Sequence, residues 1–335
     1  MILAPLRPQV RLNASSGLSC QEGPVLEIAI MLEGQNGLTW DRWKRWVRAV
    51  EDLGFAGLYR SDHFTNAEPP DLDSLELWVS LSWLASHTTR IEFGQLVSPV
   101  SIRHPVFLAR MAKDLDDLSG GRMNLGLGAG WQAREHDLFG FDLLAGAGRF
   151  RRFEEAVEVT WRLLKERRPV EFDGDFYRLR GAQLLPAPAR PGGPDLTIGG
   201  NGRRRTLPLA ARFADIWNAD GVGPDEFAGL NAHLDDLLAG EGRPRSAVKR
   251  TAMIGLAFGV DDAEAAAKLS ARGADPDAFL RRGGIFGTAA DVIEGLQKFA
   301  AAGLERAVLQ WLEWDDMAGL ERLANEVLPV FEEGA

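Results

Sequence analysis

The chain has 335 residues, 45% of them hydrophobic, and a formal net charge of −10. That composition is ample for one large α/β core. The acidity repels duplex nucleic acid and anionic membrane surfaces, and the single cysteine, Cys20, leaves neither a disulfide framework nor a thiolate metal cluster.

Residues 1–24 interleave Arg7, Pro8, Arg11, Asn13, Ser15 and Ser16 with no continuous apolar segment, so they do not read as a secretory signal. They are expected to form a loosely ordered extension, with one domain over residues 25–335. No run reaches the roughly 18 apolar residues that span a bilayer. The expectation is a cytoplasmic enzyme acting on a small molecule, assembled as a homodimer, with no nucleic-acid or membrane partner.

From Leu26 onward, short apolar runs alternate with helical patterns, the signature of repeated βα units around a parallel sheet. Strand Leu26–Leu32 leads to helix Trp40–Leu53, strand Ala56–Arg60 to helix Leu72–Ser86, and strand Ile91–Val97 to helix Pro105–Ser119. Strand Arg122–Gly128 leads to helix Phe150–Lys165, strand Asp195–Gly199 to helix Arg203–Arg212, and strand Ala214–Asn218 to helix Pro224–Leu238. Strand Thr251–Phe258 precedes helix Ala289–Ala302, and strand Arg306–Trp311 precedes helix Asp316–Phe331. Gly54 and Gly303 follow helices directly before strands, where a left-handed residue ends the helix. Two longer interruptions lie at Trp131–Arg149 and Arg167–Pro194; the second carries two alternating runs around Asp173-Gly174, a hairpin signal. Eight strands each followed by a helix close naturally into a single (β/α)8 TIM barrel with short insertions.

Chemistry in such a barrel sits where strands end and their loops begin, and these ends are polar and aromatic. The first ends in Glu33, Gly34 and Gln35, the second in Ser61, Asp62, His63 and Phe64, and the third in Gln95, Leu96, Val97 and Ser98. The fourth ends in Gly128, Ala129, Gly130 and Trp131, the fifth in Gly199, Gly200 and Asn201, the sixth in Trp217 and Asn218, and the eighth in Gln310 and Trp311. His63 is the leading candidate for proton transfer, because an imidazole titrates near working pH; a structural hydrogen-bonding role is the alternative. Neighbours on a strand point to opposite faces, so Asp62 and His63 need not reach the same space. The Gly199-Gly200-Asn201-Gly202 turn, followed by Arg203, offers backbone N–H groups to a phosphate at a helix start, and a tight turn needing positive φ explains it equally. Arg204 and Arg205 extend the positive charge or simply form a solvated helix face.

The other candidates are weaker. Gly126, Gly128 and Gly130 lack the remainder of a dinucleotide fingerprint. Trp40, Trp43 and Trp46 share a helical face and read as core; His87 and His233 read as surface or capping groups, His104 as a cap or a cofactor contact, and His136 as a possible pocket-lining group. No HExxH motif or Asp/Glu/His set points to a metal.

The run Gln95-Leu-Val-Ser-Pro-Val-Ser-Ile-Arg-His-Pro105, then Leu115 to Met123, Gly126-Leu-Gly-Ala-Gly-Trp131 and Glu135-His-Asp-Leu-Phe-Gly140, resembles the luciferase-like monooxygenase superfamily. Gly57 to Phe64, Ile198 to Arg203, Ala210 to Trp217 and Gly287 to Ile293 extend the likeness over essentially Leu26 to Phe331. The resemblance implies a barrel that binds flavin mononucleotide (FMN) or the deazaflavin coenzyme F420 at the strand C-terminal face. It places His63, with Asp62, beside the reactive ring carbon, and implies a non-proline cis peptide within Leu96-Val97-Ser98 that braces the ring. Gln95, Gly128, Ala129, Gly130 and Trp131 would surround the ring, the glycines letting it approach the backbone, while Gly199, Gly200, Asn201, Gly202 and Arg203 would hold the phosphate. Trp131 stands where some sugar phosphate dehydrogenases of this kind place a catalytic Glu, so their substrate does not carry over; Glu33 is the alternative acid. The function expected is F420-dependent hydride transfer to or from a small organic substrate. The alternatives are an FMN-dependent monooxygenase acting through a peroxyflavin and a non-catalytic cofactor-binding barrel.

Overall fold

Strands buried on both faces read as short apolar runs, and each of the eight runs becomes one. The computed structural model describes residues 25–332, so the extension expected at residues 1–24 lies outside the described residues. Strands β1 (Glu27–Leu32), β2 (Gly57–Arg60), β3 (Glu92–Gln95), β4 (Ser98–Pro99), β5 (Met123–Gly128), β6 (Val170–Asp173), β7 (Arg178–Ala182), β8 (Asp195–Gly199), β9 (Ile216–Asp220), β10 (Lys249–Phe258), β11 (Ile285–Gly287) and β12 (Arg306–Trp311) follow in chain order. The eight long-range partners β1-β2-β3-β5-β8-β9-β10-β12 pair in parallel, and β12 pairs with β1, closing the barrel. The short β4 continues the third strand against β5, β11 adds to β10, and β6 with β7 forms the hairpin outside the barrel.

The period-2 alternation of a strand divides the core in two. Ile28, Ile30 and Leu32 of β1 face outward into the large cluster shared with the helices. Ala29 and Met31 face the axis, where they meet Tyr59 and Val308, with Leu96 and Met253 packed against this interior plug. In helix α1 (Trp40–Asp52), Trp43 and Trp46 are fully buried, whereas Trp40 in the first turn is exposed.

Several helices depart from the predicted bounds. Helix α2 (Leu77–His87) begins at Leu77, not Leu72: Glu76 caps it, its side chain accepting the Val79 N–H at 2.7 Å, while Ser74 donates to the His63 carbonyl instead of joining a helix. Helix α3 (Pro105–Ser119) matches its predicted span, capped by His104. The interruption after β5 holds a short helix α4 (Ala133–Phe139), and α5 (Gly146–Lys165) starts four residues early. Helix α6 (Thr206–Phe213) starts after the three arginines, which form a turn; α7 (Pro224–Gly240) runs two residues longer than predicted. Between β10 and α10 (Ala289–Ala301) lie two helices absent from the sequence reading: α8 (Asp262–Ala271), whose many alanines give little apolar periodicity, and α9 (Pro276–Arg281), too short to show one. The last helix, α11 (Met317–Val327), ends in a single 3-10 turn.

Candidate functional site

The strand C-terminal ends open on a cavity of about 870 Å³. Leu96 and Val97 form part of its wall, and the peptide between them is cis. The glycines of β5 serve this segment: a Cβ at Gly126 would run into the Gln95 carbonyl, and one at Gly128 into Val97 Cγ2. Their missing side chains admit the Gln95–Val97 segment, whose Leu96 and Val97 line the cavity. Gly128 itself also lines the cavity.

His63 follows β2 and lines the cavity. Its Nδ1 lies 3.0 Å from Glu135 Oε1, and the other oxygen of Glu135 accepts the Phe64 N–H at 3.1 Å. Glu135, on α4, is buried to 1% exposure, while the His63 side chain retains 19%. Trp131 meets the imidazole edge-to-face at 5.4 Å. Burial alone would push the imidazole down, but the hydrogen bond and charge of Glu135, with smaller contributions from Glu33 and Asp62, outweigh it, and His63 titrates above the usual histidine range.

Asp62 takes a different course. Its carboxylate accepts Ser98 Oγ–H at 2.6 Å and is gripped by Arg103 through Nε at 2.6 Å and Nη2 at 2.7 Å. It is buried and off the cavity wall, which corrects its candidacy as a catalytic partner of His63: strand alternation turns it into a bidentate anchor for the loop before α3. Gln95 and Ser98 are likewise buried behind the wall, Gln95 Nε2 donating to Ser98 Oγ at 3.2 Å and to the Gly126 carbonyl at 3.3 Å.

Glu33 does reach the cavity. It accepts Gln310 Nε2–H at 2.6 Å and Gln35 Nε2–H at 3.0 Å, and Gln35 in turn accepts Ser61 Oγ–H at 2.6 Å. This chain of amides ties the ends of β1, β2 and β12 into one rigid arc.

Of the fifth-strand turn, Gly199 and Gly200 line the cavity, with Gly200 at φ +118°, a conformation only glycine adopts readily. The Gly200 N–H is taken by the Asn218 carbonyl at 2.9 Å, so that donor is not free for a phosphate. Asn201, Gly202 and Arg203 lie beyond the wall. Asn201 clamps Asp220 at both backbone groups, donating to its carbonyl at 2.6 Å and accepting its N–H at 3.2 Å, and Arg203 to Arg205 are exposed. Ala129, Gly130 and Trp131 line the cavity, Trp131 at 62% exposure on its rim.

Sequence reasoning gave no role to four residues of the cavity wall. Glu135 sits in a short helix where an acidic residue reads as solvated. Asp220 ends β9 two residues beyond the predicted strand and lines the cavity; burial pushes its carboxyl above the usual range, Arg282 opposes this and Glu33 adds to it. Arg282 and Phe279 reach the same cavity from the α9 segment. Conversely, His136 does not line it: its Nδ1 bonds the Gln132 carbonyl at 2.7 Å and its Nε2 lies 2.8 Å from Ser101 Oγ. His104 caps α3, His233 bonds the Arg203 carbonyl and His87 stacks on Trp83. Among the described residues, no cluster of three or more His, Cys, Asp or Glu could hold a metal ion.

Comparison with known proteins places this geometry. The chain is 31% identical over 219 residues to an F420-dependent glucose-6-phosphate dehydrogenase of Kineococcus radiotolerans, covering 64% of each chain. It is 28% identical over 218 residues to a 5,10-methylenetetrahydromethanopterin reductase of Archaeoglobus fulgidus, covering 64% of this chain and 60% of that protein. It thus spans somewhat under two thirds of the length of these relatives. Among solved structures, an F420-dependent secondary alcohol dehydrogenase in complex with an F420-acetone adduct superposes with a TM-score of 0.81 at 19% identity, over 92% of this chain and all of that one. A long-chain alkane monooxygenase superposes at 0.75 with 15% identity, over 91% and 90% of the two chains; at these identities the likeness concerns the fold. The family model described as luciferase-like monooxygenase matches residues 25–274, three quarters of the sequence, and the chain belongs to that family.

Proposed function

We propose that the protein is an F420-dependent oxidoreductase that moves a hydride between the deazaflavin and a small organic substrate, with His63 carrying the accompanying proton. The observation that carries this reading is a cavity-facing imidazole whose second nitrogen is braced by a buried carboxylate. Hydride transfer to a carbonyl needs one proton at oxygen, and a positioned imidazole supplies it.

The residues fit such a cofactor. A cavity of about 870 Å³ accommodates a tricyclic ring with a small substrate beside it. Leu96 and Val97 would support the ring, Ala129 and Gly130 would flank it, and the turn at Gly199–Gly200 would lead its phosphate toward the backbone of Asn201–Arg203 and the exposed arginines. When bound, the deazaflavin supplies or accepts the hydride; the protein's part is to hold the ring, exclude water and manage the proton. Support for F420 over FMN comes from the Kineococcus radiotolerans relative, whose name gives it as F420-dependent.

The substrate we infer is neutral or cationic and not phosphorylated. Glu33, Glu135, Asp220 and Asp275 face the cavity against Arg282 and His63, so a phosphate would meet net negative charge. As for assembly, Val79 on α2 and Phe107 on the neighbouring α3 are exposed at 57% and 66%. A second copy would cover them in the homodimer we propose. Among the described residues no helix is long and apolar enough to cross a membrane.

Absorbance and fluorescence titration of the purified protein with F420 and with FMN tests the cofactor: F420 should bind at least tenfold more tightly, and preference for FMN would overturn the reading. With a substrate in hand, His63→Ala should lower turnover by about 10²–10⁴-fold while cofactor affinity changes far less. Retained turnover would reduce His63 to a packing group.

A further inference from the structure

We propose that Glu135 is the positioning residue of His63: its buried carboxylate accepts a hydrogen bond from Nδ1–H and leaves Nε2 as the nitrogen offered to the substrate. Both oxygens of Glu135 are committed to one loop, Oε1 to His63 Nδ1 at 3.0 Å and Oε2 to the Phe64 N–H at 3.1 Å, so the carboxylate cannot swing away. An ionised carboxylate only accepts hydrogen bonds. The imidazole must therefore present Nδ1–H to it, which fixes the tautomer of the neutral ring and leaves Nε2 as a lone pair, or as a second N–H in the cation. Trp131, edge-on at 5.4 Å, restricts the remaining rotation of the ring.

The surroundings set the sign of the proton's preference. The groups facing His63 are Glu135 from α4, Glu33 from the end of β1 and Asp62 from its own loop, whose charge Arg103 offsets; burial opposes all three and is outweighed. The imidazolium form is favoured, so the site is set to deliver a proton. A carbonyl substrate gains a hydride at carbon and the Nε2 proton at oxygen. The C=O π bond breaks, C–H and O–H bonds form, and the reduced deazaflavin proposed above is oxidised by two electrons. His63 then regains its proton from water.

The proposal rests on the ring placement given under the proposed function, but its test does not. Side-chain 15N–1H spectra of the cofactor-free full chain, which has five histidines, report each ring's tautomer and midpoint, with His63 assigned from a His63→Gln variant. In the wild type, the His63 midpoint should lie above the ordinary value of about 6.5, with the neutral ring protonated at Nδ1. Glu135→Gln should lower that midpoint by a factor of about ten or more in proton affinity, because the amide carries no charge and puts an NH2 donor where one of the two accepting oxygens stood, and Glu135→Asp should recover part of it. The turnover–pH profile should shift by the same amount with KM little changed. A neutral Nε2–H tautomer, or an unchanged midpoint in folded Glu135→Gln, overturns the proposal. If that variant does not fold, the wild-type tautomer alone decides. A cofactor that binds elsewhere would refute the ring placement and leave this spectrum as it is.

Discussion

The two ends of the barrel are built from the same strands and both carry charged groups, yet they use them in opposite ways. At the N-terminal end, Arg306 is buried and answered on every side. It bonds both Glu27, by a close ion pair, and Glu92 at 2.8 Å, and it donates to Tyr59 Oη at 2.5 Å, while the Tyr59 hydroxyl donates to Asn124 Oδ1. Lys249 completes Glu27 at 2.5 Å. At the C-terminal end, Glu33, Asp220 and Glu135 surround a void, partnered by amides, backbone and one histidine more than by cations. Charges that satisfy one another close a barrel; charges that leave a face unanswered are available to a ligand. The open end departs from the pairing rule that the rest of the molecule obeys, as functional sites do.

The largest expected effect lies at the closed end. Arg306→Met strands Glu27 and Glu92 and removes the donor to Tyr59, so unfolding free energy should fall by about 3–5 kcal/mol, the cost of breaking a buried pair from one side. Guanidinium unfolding measures it. Cofactor affinity of the folded protein should stay near that of the wild type, because the interior plug of Ala29, Met31, Tyr59 and Val308 separates the two ends. A loss under about 1 kcal/mol would mean the network is ornamental and the outer core alone closes the barrel.

A smaller effect is expected where the plug meets the cavity. Gly128→Ala places a methyl against Val97 Cγ2, an overpacking of about 1–3 kcal/mol. Here stability and binding should fail together, since Val97 must move and Val97 lines the cavity. Calorimetric unfolding and cofactor titration of one variant check both. Intact affinity in a destabilised variant would place the ring away from Val97.

The contrast also explains what the sequence made legible. The eight barrel strands were readable because buried parallel strands are continuous apolar runs, and the resemblance carried the cis peptide at Leu96–Val97. His63 and Glu33 stood out as polar residues at strand ends. Asp62 stood out for the same reason and proved to be an anchor, because which face a residue takes depends on register, and its partner Arg103 lies 41 residues away. Glu135 was invisible as a partner, since its role depends on a 72-residue separation and a short helix. Asp220 was lost to a strand end misplaced by two residues, and Phe279 and Arg282 to a helix of six residues, too short to show periodicity. Local pattern reaches the strands; the pairing of side chains across loops does not show in it.

The smallest expected effect separates the two ends by its sign. The His63–Glu135 pair raises the imidazole in the folded protein, so its contribution to stability is fully present below the unfolded histidine value of about 6.5 and is lost as pH rises through the folded one. Its size is of order 1 kcal/mol, the scale of a partly exposed ion pair. Glu92 behaves in reverse. Burial pushes its carboxyl up, but Arg306, by hydrogen bond and charge, brings it below the usual range. Its contribution is therefore present above the unfolded carboxylate value and lost as acid reaches the folded one. Urea unfolding between about pH 2.3 and 8.5 of the wild type, His63→Gln and Glu92→Gln resolves the two, the chosen range reaching about two units beyond each ordinary value. The wild type should exceed His63→Gln most at the acid side of neutrality and converge with it in mild alkali. It should exceed Glu92→Gln at neutral pH and converge with that variant in acid. A flat His63 difference would show that folding favours neither form, and one that grows with pH would show that the imidazole is stabilised in its neutral form. The open end would then be set to accept a proton from an alcohol, not to give one to a carbonyl.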